Sequence, residues 1–239
     1  MSKHPPLFIV DYPLDAQSYR QFFQEHGIDA HVLSLQPPQD LSLPTQAFLL
    51  VGVELPHETC GLLWAHEIRE RYPNVQIIYW AHDPAPFLLW AGYREGTRAF
   101  LDKSGTPSSL IKMIKGILIS QDTWPSLLYD RAVQWDREVG FRLSGLSRSH
   151  WEIWEGLLRG EDVGALSERL RLSEGTVRRK RRELYEVVGV RGWAEAVRMA
   201  CEWGLTTVRR GRLAFRLAVR EMFGGEEGGR TAMERTDKV

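Results

Sequence analysis

Ser173-Glu174-Gly175-Thr176-Val177-Arg178-Arg179-Lys180-Arg181-Arg182 is the stretch on which the reading of this 239-residue chain turns. Five consecutive bases stand in a segment that Ser173 can cap and Gly189 can stop. At about 100° per residue, five consecutive positions wrap the whole circumference of a helix, so the run is not a simple solvated face. Upstream, Ser147 followed by Trp151, Ile153, Trp154, Leu157 and Leu158 and closed by Gly160 reads as a capped amphipathic helix. Asp162 caps a second helix carrying Val163, Leu166 and Leu170, and Arg171-Leu172 form a turn before Ser173. A fourth helix spans Trp193 to Trp203 and stops at Gly204. A short helix, a tight turn and a capped basic helix make the helix-turn-helix layout, in which the second helix enters the major groove.

Working outward, the bases prove unevenly distributed. The whole chain balances 31 Lys+Arg against 31 Asp+Glu, but residues 1–124 carry 9 against 13 and residues 146–239 carry 19 against 15. An acidic half joined to a basic half fits a sensing or partner-binding module tethered to a nucleic-acid module, although solvated surface charge accounts for so mild a bias equally well. The first half alternates short apolar runs (Leu7 to Val10, His31 to Leu35, Phe48 to Val53, Val75 to Trp80, Ala99 to Leu101) with amphipathic stretches. That alternation predicts βαβ units and a five-stranded parallel sheet covered on both faces. Pro37, Pro38 and Pro44 leave no room for a full helix between the second and third strands, so the second helix is expected to be reduced to an irregular loop. Residues 125–145 read as a linker, with Leu127, Leu128, Ala132, Val133 and Trp135 permitting a short helix. After residue 205 a basic stretch, Arg209 to Met222, has helical character and gives way to a Gly- and Glu-rich tail.

The segment Leu146 to Leu205 resembles the C-terminal DNA-binding domain of LuxR/NarL-type regulators. The resemblance runs without gaps through Ala165 to Val177 and through Val188 to Val197, at both ends of the basic helix. It implies a four-helix domain whose third helix reads DNA and whose fourth often pairs in a dimer. The family's base-edge positions fall on Arg178, Arg179 and Arg182, with Lys180, Thr176 and Val177 near the backbone or thymine methyls. Arginine there suits bidentate contact with guanine, worth about 1–3 kcal/mol each. Arg181 departs from the pattern, because it interrupts the apolar stripe Val177, Leu184, Val188; Gly175 departs where the family carries a polar or basic side chain.

With Ile9-Val10-Asp11 at the first strand end, Leu55-Pro56 after the third, Ala81-His82-Asp83 after the fourth and Phe100-Leu101-Asp102-Lys103 at the fifth, the first half resembles the receiver domain with which such regulators begin, giving a flavodoxin-like expectation for residues 1–124. A phosphorylated receiver uses a carboxylate nucleophile after the third strand, two acidic residues after the first to hold Mg²⁺, a hydroxyl after the fourth and a lysine after the fifth. Here these positions fall on Gly52, on Asp11 and Tyr12, on Trp80 and on Lys103. Glycine offers no nucleophile, and one carboxylate is too little charge for Mg²⁺. Glu54, two residues beyond Gly52 on the same strand face, is a weak substitute. Asp11 and Lys103 are expected to survive as an ion pair, and Tyr12, Trp80 and Phe100 to fill the space in preference to lining a ligand pocket.

Cys60 and Cys201 have neither metal-ligand nor disulfide spacing, and no apolar run reaches the roughly 20 residues of a membrane span. Neither a Ser/His/Asp nor a phosphate-loop spacing appears. The expectation is a cytoplasmic, non-enzymatic, cofactor-free transcription regulator that binds double-stranded DNA as a homodimer, with RNA polymerase or another regulator as a further partner and no membrane association. The competing reading is a protein-interaction adaptor with vestigial DNA binding.

Overall fold

The structure is a computed structural model describing residues 5–57, 59–119, 124–209 and 212–223. It comprises two compact units that meet in the chain between Val133 and Gln134.

In the first unit, β1 (Leu7–Val10), β2 (Ala30–Val32), β3 (Phe48–Gly52), β6 (Gln76–Ala81) and β7 (Ala99–Asp102) form a parallel sheet in the order β2-β1-β3-β6-β7. A two-stranded hairpin, β4 (Glu54–Leu55) and β5 (Thr59–Cys60), follows β3. The helices are α1 (Pro13–Glu25), α2 (Gly61–Arg71), α3 (Pro86–Arg94) and α4 (Pro107–Ile119). Every position of β3 is buried, as a central parallel strand requires when helices cover both faces. One face packs Leu7, Ile9, Leu50, Ile78, Trp80 and Leu101 against Ala16, Phe23, Leu110 and Ile114. Between β2 and β3 only Pro38–Asp40 turns, as a 3₁₀ helix, so the reduced second helix is observed. The register sets Gly52 beside Trp80 at the C-terminal ends of β3 and β6. Asp11 and Lys103 follow β1 and β7 at that same end.

The stretch 125–145 contains the short helix that its apolar residues permit and continues as helix beyond it: α5 (Ser126–Trp135), a π-helical turn (Asp136–Gly140) and α6 (Phe141–Leu143). Leu128, Ala132, Trp135, Val139 and Leu143 are its buried hydrophobic residues, spaced three or four apart, which is the stripe a helix needs.

The second unit contains α7 (Arg148–Leu158), α8 (Val163–Leu170), α9 (Glu174–Val188) and α10 (Trp193–Glu202). Asp162 accepts a hydrogen bond from the Ala165 amide at 2.8 Å and Ser173 one from the Thr176 amide at 3.2 Å, so both expected caps form. Gly189 ends α9 at φ 82°, a left-handed conformation that favours glycine. The helical expectation for Arg209 to Met222 fails in its first half. Thr206–Arg209 (β8) pairs antiparallel with Arg212–Phe215 (β9), and helix resumes only at α11 (Leu217–Phe223). Phe215 packs edge-on to Trp151 and Trp154, which anchors the ribbon to α7. The Gly- and Glu-rich tail and Arg210 lie outside the described residues.

Candidate functional site

Helix α9 buries Val177, Leu184 and Val188 on one side and exposes Arg178, Arg179 and Arg182. Lys180 and Arg181 sit half-buried on the flanks. Val177 is completely buried as part of the stripe 177, 184, 188, so its side chain offers no surface for the backbone or thymine-methyl contact that the resemblance implies. Thr176 is half-buried, and its hydroxyl meets the Ser173 hydroxyl at 2.9 Å within the cap. Of the residues expected to contact DNA, the exposed ones are thus the three arginines, on a helix that also exposes the carboxylates Glu174 and Glu186.

These cations are not alike. Arg178 pairs with Glu174 one turn back at 2.6 Å, and both side chains are more than half exposed. Arg179 pairs with Glu183 one turn on, whose second oxygen faces His150 Nε2 of α7 at 3.1 Å. The Glu183 carboxyl is held below the usual range by the His150 hydrogen bond first and by Arg179 after it. Among the described residues, Lys180, Arg181 and Arg182 have no carboxylate within ion-pair distance. The sequence reading missed the His150–Glu183 link; the only signal was that His150 stands three residues after the Ser147 cap, where a capping box places Glu or Gln. On α10, Ala196 and Ala200 are wholly buried inside the unit, while Val197 is half-buried and Cys201 exposed. Of these four small residues, which lie on one face of the helix that the family resemblance pairs in a dimer, two are thus taken up by the core.

In the first unit, Asp11, Gly52, Trp80 and Lys103 come together. Lys103 Nζ forms an ion pair and hydrogen bond with Asp11 Oδ2, in which the Asp11 side chain is 1% and the Lys103 side chain 9% exposed. The ammonium also lies 4.4 Å from the centroid of the Trp80 ring. A Cβ added at Gly52 would stand 2.9 Å from Asp11 Oδ1 and 3.2 Å from Oδ2, so the Asp11 carboxylate occupies the volume a side chain at position 52 would need. From above, Gly61 at the start of α2 presses on the Gly52 carbonyl, where an added Cβ would fall at 1.9 Å. Of the expected pocket positions only Asp11 offers a carboxylate, already committed to Lys103 and to the Tyr12 amide at 2.8 Å, and that single donor does not fit the ion. The aromatic filling is narrower than expected. Trp80 is completely buried and packs against Tyr19, with ring centroids 4.4 Å apart. Tyr12 is 47% exposed, and Phe100 faces the opposite side of the sheet with Tyr79 and Trp124, because residues 100 and 101 of a strand point to opposite faces.

No protein-family model matches the chain, and no curated protein does. Solved structures do match it. The RcsB response regulator of Salmonella typhimurium aligns at TM-score 0.56 and 15% identity, over 82% of this chain and 99% of that one. A complex of the two-component response regulator RcsB with DNA aligns at 0.54 and 15%, over 84% and 99%. RcsB from Salmonella enterica serovar Typhimurium bound to the promoter rprA, with the phosphomimetic BeF₃⁻, aligns at 0.52 and 14%, over 84% and 99%. The chain has a response-regulator fold. That fold pairs a five-stranded receiver-type domain with a helical C-terminal domain, and in this chain α9 is the third of the four helices α7 to α10. Among the described residues no helix is long and apolar enough to cross a membrane.

Proposed function

We propose that this chain is a sequence-specific regulator of transcription that binds double-stranded DNA through α9 and whose receiver-like domain is not switched by aspartyl phosphorylation. The DNA-binding half rests on the exposed cationic surface of α9 in a helix-turn-helix setting, supported by the RcsB–DNA complexes among its structural neighbours. The phosphorylation half rests on one observation: at position 52 there is no side chain, and the Asp11 carboxylate, bound to Lys103, fills the space. Of the expected pocket positions, such a receiver keeps no nucleophile and one carboxylate, already bound to Lys103. It acts as an assembly or partner-binding module, with a homodimer on paired half-sites as the operating form, and carries no catalysis.

The deciding experiment is a gel shift of the full chain with its own promoter region at two salt concentrations. Affinity for the promoter over random DNA, with a steep loss on raising salt, is the expected outcome, because phosphate neutralisation releases counterions. Equal affinity for every sequence would remove specificity and leave electrostatics. Binding that ignores salt would favour the adaptor reading.

A further inference from the structure

His150, Glu183 and Arg179 form a chain of contacts that crosses from α7 to the exposed face of α9. His150 Nδ1 lies 3.1 Å from the Ser147 amide nitrogen and 2.9 Å from its hydroxyl. An amide N–H can only donate, so Nδ1 is the acceptor and the neutral ring carries its proton on Nε2. That proton points at Glu183 Oε2, 3.1 Å away, and Glu183 Oε1 receives Arg179 Nη1. The His150 side chain is 13% exposed and thus fixed, whereas the Arg179 side chain is 62% exposed. The other two arginines at the base-edge positions lack this support. Glu174, the partner of Arg178, is itself largely exposed, and among the described residues Arg182 has no ion-pair partner.

We propose that Glu183, anchored to α7 by His150, is the positioning residue for Arg179 and confers discrimination at one base position of the DNA site. The inference rests on the DNA-binding reading of α9. Although the Glu183 side chain is 37% exposed, its second oxygen is tied to His150, and an arginine paired through Nη1 with a carboxylate so tied loses less side-chain freedom when it meets a base edge than an unsupported one. The same carboxylate offsets its charge, so Arg179 adds little to general phosphate attraction. Its contribution is directional, and it depends on the group that donates to Glu183.

Two substitutions of equal length separate that role from a structural one. Both His150→Gln and His150→Glu keep the capping-box residue types after Ser147, so α7 retains its N-terminus. The glutamine amide can accept from Ser147 and still donate to Glu183; the glutamate cannot donate and repels it. Double-stranded DNA sites are first selected by the full-length wild type from a randomised pool, and Arg179→Ala identifies the base position that Arg179 reads. His150→Glu and Glu183→Gln are expected to lower discrimination at that position by about ten-fold, with the other positions unchanged, and His150→Gln to retain it. Glu183→Gln should also bind random DNA at least as well as the wild type, since a negative charge is gone. Uniform strengthening for all sequences with discrimination intact, or unchanged discrimination in His150→Glu, would overturn the proposal. A pool from which the wild type enriches no sequence would remove the DNA-binding reading itself, and the inference with it.

Discussion

Position 52 shows how one missing side chain sets its neighbours. Because a Cβ there meets the Asp11 carboxylate at 2.9–3.2 Å, restoring the nucleophile by Gly52→Asp forces two carboxylates into one buried space. That variant is expected to be less stable than the wild type and to gain no phosphoryl group. Incubation with acetyl phosphate and Mg²⁺ should leave its mass unchanged, and an increase of about 80 Da would defeat the argument. Trp80, on the adjacent strand, is completely buried, and its Nε1 has no hydrogen-bond partner among the described residues. Trp80→Thr should cost about 2–4 kcal/mol in chemical denaturation through the cavity left behind. Trp80→Phe should cost less than its volume alone suggests, because it also removes an orphaned donor. Glu95 tests the polar side of the same unit. Burial raises its carboxyl above the ordinary value, against the opposing pull of His66 and Arg69. A raised folded-state value means that the folded unit binds this proton more tightly, so the stabilisation is complete below the ordinary glutamate range and is lost as pH rises through the raised value. Thermal melts of Glu95→Gln and wild type should therefore diverge in the variant's favour across that window, and divergence in the opposite direction would refute the assignment.

At the level of elements, the strands and helices with strong periodicity were legible and the connections were not. β3 announces itself as a continuous apolar run, and the three prolines announce the absent second helix. The apolar residues after Pro125 permit α5, whereas its helical continuation to Leu143 is hidden in a looser pattern at three- and four-residue spacing. The β8–β9 ribbon was misread because Thr206-Thr207-Val208 is short, and the arginines after it suit a helix as well as a strand. What fixes it is Phe215 against Trp151 and Trp154, a contact between residues more than fifty positions apart that no local window contains. In the basic helix, spacing marks the buried stripe and the family resemblance marks the contact positions, and Val177 falls in both; its burial places it in the stripe. The cross-helix link from His150 to Glu183 could not be read at all, since it depends on how α7 and α9 pack. The division of labour between elements is testable. Arg182→Ala on α9 should erase discrimination at one base position with little change in salt dependence. Arg209→Ala in β8 should weaken all sequences alike and lower the salt slope by about one unit. Identical losses in both variants would leave charge as the only operative feature.

For the whole molecule, the charge imbalance acquires a location. Residues 1–124 hold 9 bases against 13 acids, whereas α9 and the β8–β9 ribbon lie entirely within the second unit. From Thr206 to Arg220 the chain holds five arginines and no acidic residue. If every phosphate contact comes from that unit, a fragment comprising residues 134–239 should bind a single half-site with the salt slope of the full chain, because the slope counts neutralised phosphates. Its affinity for random DNA should equal or exceed that of the full chain, since an acidic partner has been removed. Paired half-sites should behave differently. If the receiver-like unit holds two copies together, the full chain gains the effective concentration of a linked second module, on the order of 10²–10⁴ in avidity, and the fragment loses it. Titrating both proteins against single and paired half-sites at two salt concentrations separates these contributions. A smaller slope for the fragment on a single half-site would mean that the acidic unit touches DNA, and the assignment of recognition to α9 and its neighbours would have to be abandoned.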